Sequence, residues 1–120
     1  MSKRILILED SDDPLSYSDG EFSYKQFRVL VTSDAKSIIK ITQTFNPDLV
    51  IVDYHKAGHT SEDICRQIQW RRRFGHIPAI LSSAYLYDAV DYAAMGYDDI
   101  IFKPFGLDEL IDKASGLVLQ

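Results

Sequence analysis

Two unbroken apolar runs, each ending in acid, constrain this chain more than any other feature. Leu49-Val50-Ile51-Val52 runs into Asp53, and Ile5-Leu6-Ile7-Leu8 runs into Glu9-Asp10. Four apolar residues in a row leave no face for water, so each run reads as a strand buried on both sides. Such strands occupy the middle of a parallel sheet whose two faces are covered by helices. Ligands of open sheets of this kind bind just outside the carboxyl ends of the strands, where strand order reverses, and the acids fall there. A single aspartate after a strand is more often a turn or capping residue, so Asp53 gains weight only from its company.

Three further strands are expected: Phe27 to Val31, more mixed in polarity and so nearer an edge, Pro78 to Ser82, and Asp99 to Phe102. Asp34 can cap a helix whose Ala35, Ile38, Ile41 and Phe45 recur at helical spacing, and Asn46-Pro47 ends it. A second helix is expected from about Glu62 to Arg72, with Ile64, Cys65 and Ile68 inward. A third lies near Asp88 to Met95 with Gly96 just past its end, and a last one carries Leu107, Leu110, Ile111 and Ala114. Residues 11 to about 25 should hold a crossover helix, but Pro14, Gly20 and Ser11, Ser16, Ser18 and Ser23 make it irregular. Strands alternating with helices predict an α/β, doubly wound, five-stranded parallel sheet in a single domain over residues 1–120.

At 120 residues, 46% hydrophobic and 26% charged, the composition suits one globular core. The net charge of -5 argues against nucleic acid, and Arg71-Arg72-Arg73 is too short a basic cluster to reverse that. Cys65 is the one cysteine, which excludes an intrachain disulfide and points to a buried thiol in a reducing compartment. No apolar run approaches the ~20 residues of a membrane span. The start is too short in apolar residues for a signal peptide, so a cytoplasmic protein is expected.

A sheet of this topology collects Glu9-Asp10, Asp53, Ser82-Ser83 and Lys103 at one edge. Crowded carboxylates repel one another unless a cation joins them. Mg2+ suits the need, since it takes one or two carboxylates, a carbonyl, waters and a phosphate oxygen. A lysine beside the cluster can pair with a carboxylate at rest and with a transferred phosphoryl group afterwards, while Ser83 supplies a hydroxyl. The set describes an aspartate nucleophile that forms an acyl phosphate with metal help.

Four motifs, in order and spanning the chain, carry a resemblance: Ile5-Leu6-Ile7-Leu8-Glu9-Asp10, Pro47 to Asp53, Ile80-Leu81-Ser82-Ser83-Ala84, and Lys103-Pro104-Phe105. Together they resemble the receiver domain of bacterial two-component response regulators. The resemblance implies a flavodoxin-like fold, strand order 2-1-3-4-5. It implies Asp53 as phosphoacceptor, Asp10 as a direct Mg2+ ligand with Asp53, Glu9 holding the metal through water, and the His55 main-chain carbonyl completing the set. It assigns Ser83 and Lys103 to the phosphoryl group and expects a cis bond before Pro104. Phosphoryl would come from a histidine kinase or phosphotransfer protein, and the signal would pass to a downstream protein partner. Neither nucleic acid nor membrane is implied, a homodimer stays open, and catalysis is limited to the chain's own aspartyl phosphorylation and dephosphorylation.

The chain departs from the family in three places. Lys56 to Ser61 replace the usual methionine-proline pair and glycine-rich turn, the first helix is poor, and Ile100 stands where the family commonly carries an aromatic switch residue. His55 and Tyr85 occupy the two positions that tune attack of water on the acyl phosphate, and two bulky rings there predict slow self-dephosphorylation; equally, they can be plain surface rings. A zinc site built from His55, His59 and Cys65 lacks a fourth ligand at recognisable spacing. Two other readings compete: a pseudo-receiver that binds partners without phosphorylation, and a flavodoxin-like nucleotide or flavin binder. The second is disfavoured because the turn after the first strand is acidic, whereas a phosphate cradle wants small residues and main-chain donors.

Overall fold

The structure, a computed structural model, describes residues 2–9, 20–54, 61–70, 77–83 and 91–118. In chain order the elements are β1 (Lys3–Leu8), β2 (Gly20–Tyr24), β3 (Phe27–Thr32), α1 (Ile38–Phe45), β4 (Leu49–Asp53), α2 (Ser61–Trp70), β5 (Ala79–Ser83), β6 (Asp99–Phe102) and α3 (Leu107–Val118). The strands form one sheet in the order β2-β3-β1-β4-β5-β6. The five parallel strands lie in the expected 2-1-3-4-5 order. A sixth strand, β2, runs antiparallel along the outer side of β3 and was not expected from the sequence.

The two apolar runs are neighbours at the centre, with Ile5 beside Leu49 and Leu8 beside Val52. Ile5 to Leu8 and Leu49 to Val52 have no exposed surface at all. Strand alternation divides them between two cores. Leu6, Leu8, Val50, Val52 and Leu81 pack under α1 and α2 with Ile38, Phe45, Ile64 and Ile68. Ile5, Ile7, Leu49, Ile51 and Ile80 pack under α3 with Leu110, Ile111 and Ala114.

Local chemistry sets the element ends. The expected cap is corrected, since α1 starts at Ile38 behind Ser37, which makes no side-chain cap bond; the Asp34 carboxylate accepts from the Ser37 N–H (3.2 Å) in the preceding turn, and bonding to Ser37 holds its pKa below the ordinary value. Asn46 closes the same helix in the left-handed conformation, its N–H reaching the Thr42 carbonyl. Asp48 and Asp98 act alike: each accepts from a neighbouring strand's N–H (Arg4, 2.9 Å; Ala79, 2.9 Å) and donates its own N–H back to that residue's carbonyl. These paired bonds fix the registers β1–β4 and β5–β6 at the end of the sheet opposite the acids.

The crossover helix foreseen from residue 11 to about 25 is corrected for its second half, since residues 20–24 are β2; residues 10–19 lie outside the described set. β2 and β3 join through the two-residue loop Lys25–Gln26, in which Lys25 has φ 54°. Phe22 and Tyr24 pack into the α3 side of the core, and the Tyr24 hydroxyl donates to Asp108 on α3 at 2.6 Å. Lys25 also pairs with Asp108 (3.0 Å). The Asp108 pKa is lowered, first by the Tyr24 hydrogen bond and then by Lys25.

The helix expected near Asp88 to Met95 is corrected for its described part, since residues 92–96 form turns rather than a helix, while residues 88–90 lie outside the described set. Gly96 nevertheless plays its expected terminating part. It has φ 96°, its N–H reaches the Ala93 carbonyl, and the Tyr97 N–H reaches back to Tyr92. No helix among the described residues is long and apolar enough to cross a membrane.

Candidate functional site: a lysine between two buried carboxylates

β1, β4 and β6 end at the same edge of the sheet, and the residues that follow or close them converge. Lys103 Nζ lies 3.1 Å from Glu9 Oε2 and 3.2 Å from Asp53 Oδ2. Glu9 is 4% exposed and Asp53 6%, so the three charges interact largely out of water. Burial of this kind is tolerated only when each carboxylate meets a cation.

Main-chain bonds hold the frame. The Glu9 N–H donates to the Thr32 carbonyl (3.0 Å), the Tyr54 N–H to the Ser82 carbonyl (2.8 Å), and the Lys103 N–H to the Ser83 carbonyl (2.8 Å). The Lys103-Pro104 peptide is cis, as the resemblance implied. Of the predicted residues, Glu9, Asp53 and Lys103 are thus brought together. Ser83 is fully buried at the last position of β5, beside Phe102 of β6. Asp10, His55 and Tyr85 lie outside the described residues.

Alternation along β5 gives Ser82 and Ser83 different surroundings. Ile80 belongs to the α3 side and Leu81 to the α1–α2 side, so Ser82 shares the face of Asp53, its partner in register, and Ser83 faces the other way with Ile100. Ser82 is fully buried, and among the described residues its hydroxyl has no hydrogen-bond partner. The sequence showed the serine pair, but only the two-residue period of the strand distinguishes its members. Ile100 is half-buried against the α1–α2 core, and the aromatic residue next to Ser83 in register is Phe102.

Cys65 is a buried thiol, as expected, 3% exposed and donating to the Gly96 carbonyl (3.4 Å). Burial, and secondarily the Asp98 carboxylate, push its pKa from 9.0 up to about 11, which removes thiolate chemistry near neutrality. Among the described residues no group of three or more His, Cys, Asp and Glu side chains is gathered to hold a metal.

A family model described as the response regulator receiver domain matches residues 5–115. Among solved structures, the N-terminal domain of the nisin resistance regulator NsrR, a lantibiotic response regulator, is 25% identical; the match covers 98% of this chain and 99% of that one at a TM-score of 0.73. The receiver domain of the TMAO respiratory system response regulator TorR is 22% identical over 98% and 97%, TM-score 0.71. The receiver domain of a sensor histidine kinase from Pseudomonas aeruginosa PAO1, described with magnesium in its active site cleft, is 17% identical over the full length of both chains, TM-score 0.75. No curated protein matches the chain.

Proposed function

Because the chain belongs to the response regulator receiver family, we propose that it is a phosphorylatable receiver in which Asp53 accepts a phosphoryl group, with Mg2+, from a histidine kinase or phosphotransfer protein. The observation that carries this reading is the Lys103 ammonium held between Glu9 and Asp53. Receivers are signalling modules, and the chemistry required of this one is a single transfer to itself.

Glu9 and Asp53 are hard oxygen donors of the kind Mg2+ takes, so the residues present fit the ion. Asp10 and the His55 carbonyl join them on the family resemblance. When bound, the ion offsets negative charge on the incoming phosphate. An Asp53 carboxylate oxygen attacks phosphorus, the P–N bond to the donor histidine breaks, and the imidazole leaves with the electron pair and takes up a proton. Lys103, already within 3.2 Å of Asp53 Oδ2, is in reach of an oxygen of the transferred group without moving its backbone. The signal then passes through Ser83 and its neighbours on β5 and β6 to a protein partner, with Phe102 rather than residue 100 supplying the nearby ring.

The test is incubation with acetyl phosphate or beryllofluoride and Mg2+, read by intact mass and backbone NMR, beside Asp53→Asn. Gain of one phosphoryl group by wild type alone, with shifts at Asp53, Ser83 and Lys103, supports the reading. If folded wild type gains nothing, the pseudo-receiver alternative, favoured by aliphatic Ile100, replaces it.

A further inference from the structure

Among the described residues β2 is the outermost strand of the sheet, and nothing pairs with its outer side. In a hairpin with a two-residue loop the flanking pair is hydrogen-bonded and alternate residues follow suit. Tyr24, Phe22 and Gly20 therefore bond to β3 opposite Phe27, Val29 and Val31, and Glu21 and Ser23 turn their N–H and C=O groups outward. Among the described residues no hydrogen bond engages those outward groups, and both residues are exposed. Natural sheets usually blunt such an edge with proline, a bulge or an inward charge, and Gly-Glu-Phe-Ser-Tyr has none of these. Tyr24 and Lys25 also connect the hairpin to Asp108 on α3.

We infer that this edge pairs with a second copy of the chain, β2 antiparallel to β2 about a twofold axis at Phe22, joining two sheets into one. The sequence of the strand selects this register. Only with Phe22 on the axis do Glu21 and Ser23 face each other across the interface and all their outward groups bond; centring on Glu21 would oppose two carboxylates. The same register sets Tyr24 against the partner's Gly20, where a Cβ would meet nothing within 4 Å, so the ring has room. On the other face it brings the partner's Glu21 toward the groove lined by Arg4, Arg28 and Lys40, whose one acid is Glu21 itself, paired with Arg28. A strand this short buries less than a standard interface, so the association is concentration-dependent.

Sedimentation velocity of the whole chain from about 10 μM to about 1 mM tests it, with amide exchange at Glu21 and Ser23. A dimer is expected, with those two amides protected as it forms. Ser23→Pro removes an outward N–H that the hairpin does not use, and should weaken association roughly tenfold or more while leaving the melting temperature near wild type. Ser23→Glu, which gains Arg28 as a partner within its own chain, sets like charges opposite and should weaken association severalfold; Ser23→Lys, opposite the partner's Glu21, should strengthen it. A monomer at all concentrations with both amides unprotected overturns the inference. So does a dimer that any of these three substitutions leaves unchanged, which would place the contact elsewhere.

Discussion

Lys103 is the residue on which the acidic edge depends. It sits within 3.2 Å of two carboxylates that are each less than a tenth exposed, so its removal takes away the cation that both share. Lys103→Met should therefore cost about 3–5 kcal/mol in urea unfolding, the usual penalty for breaking a buried pair. Asp53→Asn should be far milder, because Glu9 and Lys103 remain matched; equal losses for the two would mean that Lys103 is not the counter-ion. Ser82 offers the opposite sign. Its buried hydroxyl lacks a partner among the described residues, so Ser82→Ala should stabilise the resting protein by about 1 kcal/mol. The acids and the lysine were legible in the sequence because charge next to an apolar run is conspicuous. Ser82 was not, since the direction of a side chain follows from the register of its strand and not from its identity.

At the level of elements, the strands were readable where burial is two-sided. Leu49 to Val52 and Ile5 to Leu8 leave no alternative, whereas Gly20 to Tyr24 carry only Phe22 and Tyr24 and are a strand because β3 and α3 supply somewhere to bury them. A loop of Lys25 and Gln26 has none of the Asn-Gly chemistry that announces a hairpin. The turn at Gly96 is more exacting. With φ 96° and a built Cβ 3.3 Å from Cys65 Sγ, Gly96→Ala should lose about 1–2 kcal/mol in thermal or urea unfolding. The same corner gives the fold an alkaline limit. Cys65, at about 11 when folded against 9.0, keeps a proton that the unfolded chain releases, so stability should fall as pH rises from 9 toward 11, by about 2 kcal/mol. Tyr97, pushed up by burial and then by Cys65, extends that loss to higher pH. A urea midpoint flat over this range would contradict the burial of the thiol, and Cys65→Ala should shallow the slope.

Across the whole molecule, β4 belongs to both cores, with Val50 and Val52 on one side and Leu49 and Ile51 on the other. Damage to either core therefore reaches the other through one backbone. Ile51→Ala should cost about 2–5 kcal/mol, and far-UV and near-UV circular dichroism should still report one shared transition. A split into two transitions would show that the helical layers unfold independently. The overall topology was legible because alternation of strand and helix leaves few ways to wind a sheet, while its width was not, because an edge strand is decided by tertiary contacts. That edge strand has one more consequence, which concerns the order of assembly. Lys3 meets Phe27 and Ile5 meets Leu49 only after long stretches of chain have closed, whereas Tyr24 and Phe27 are separated by two residues. Hairpins of this kind close in about 1–10 μs. The strand that looks like an addition to a finished sheet is therefore part of the pairing that a newly made chain can complete first, and β1 then has a two-stranded template to join.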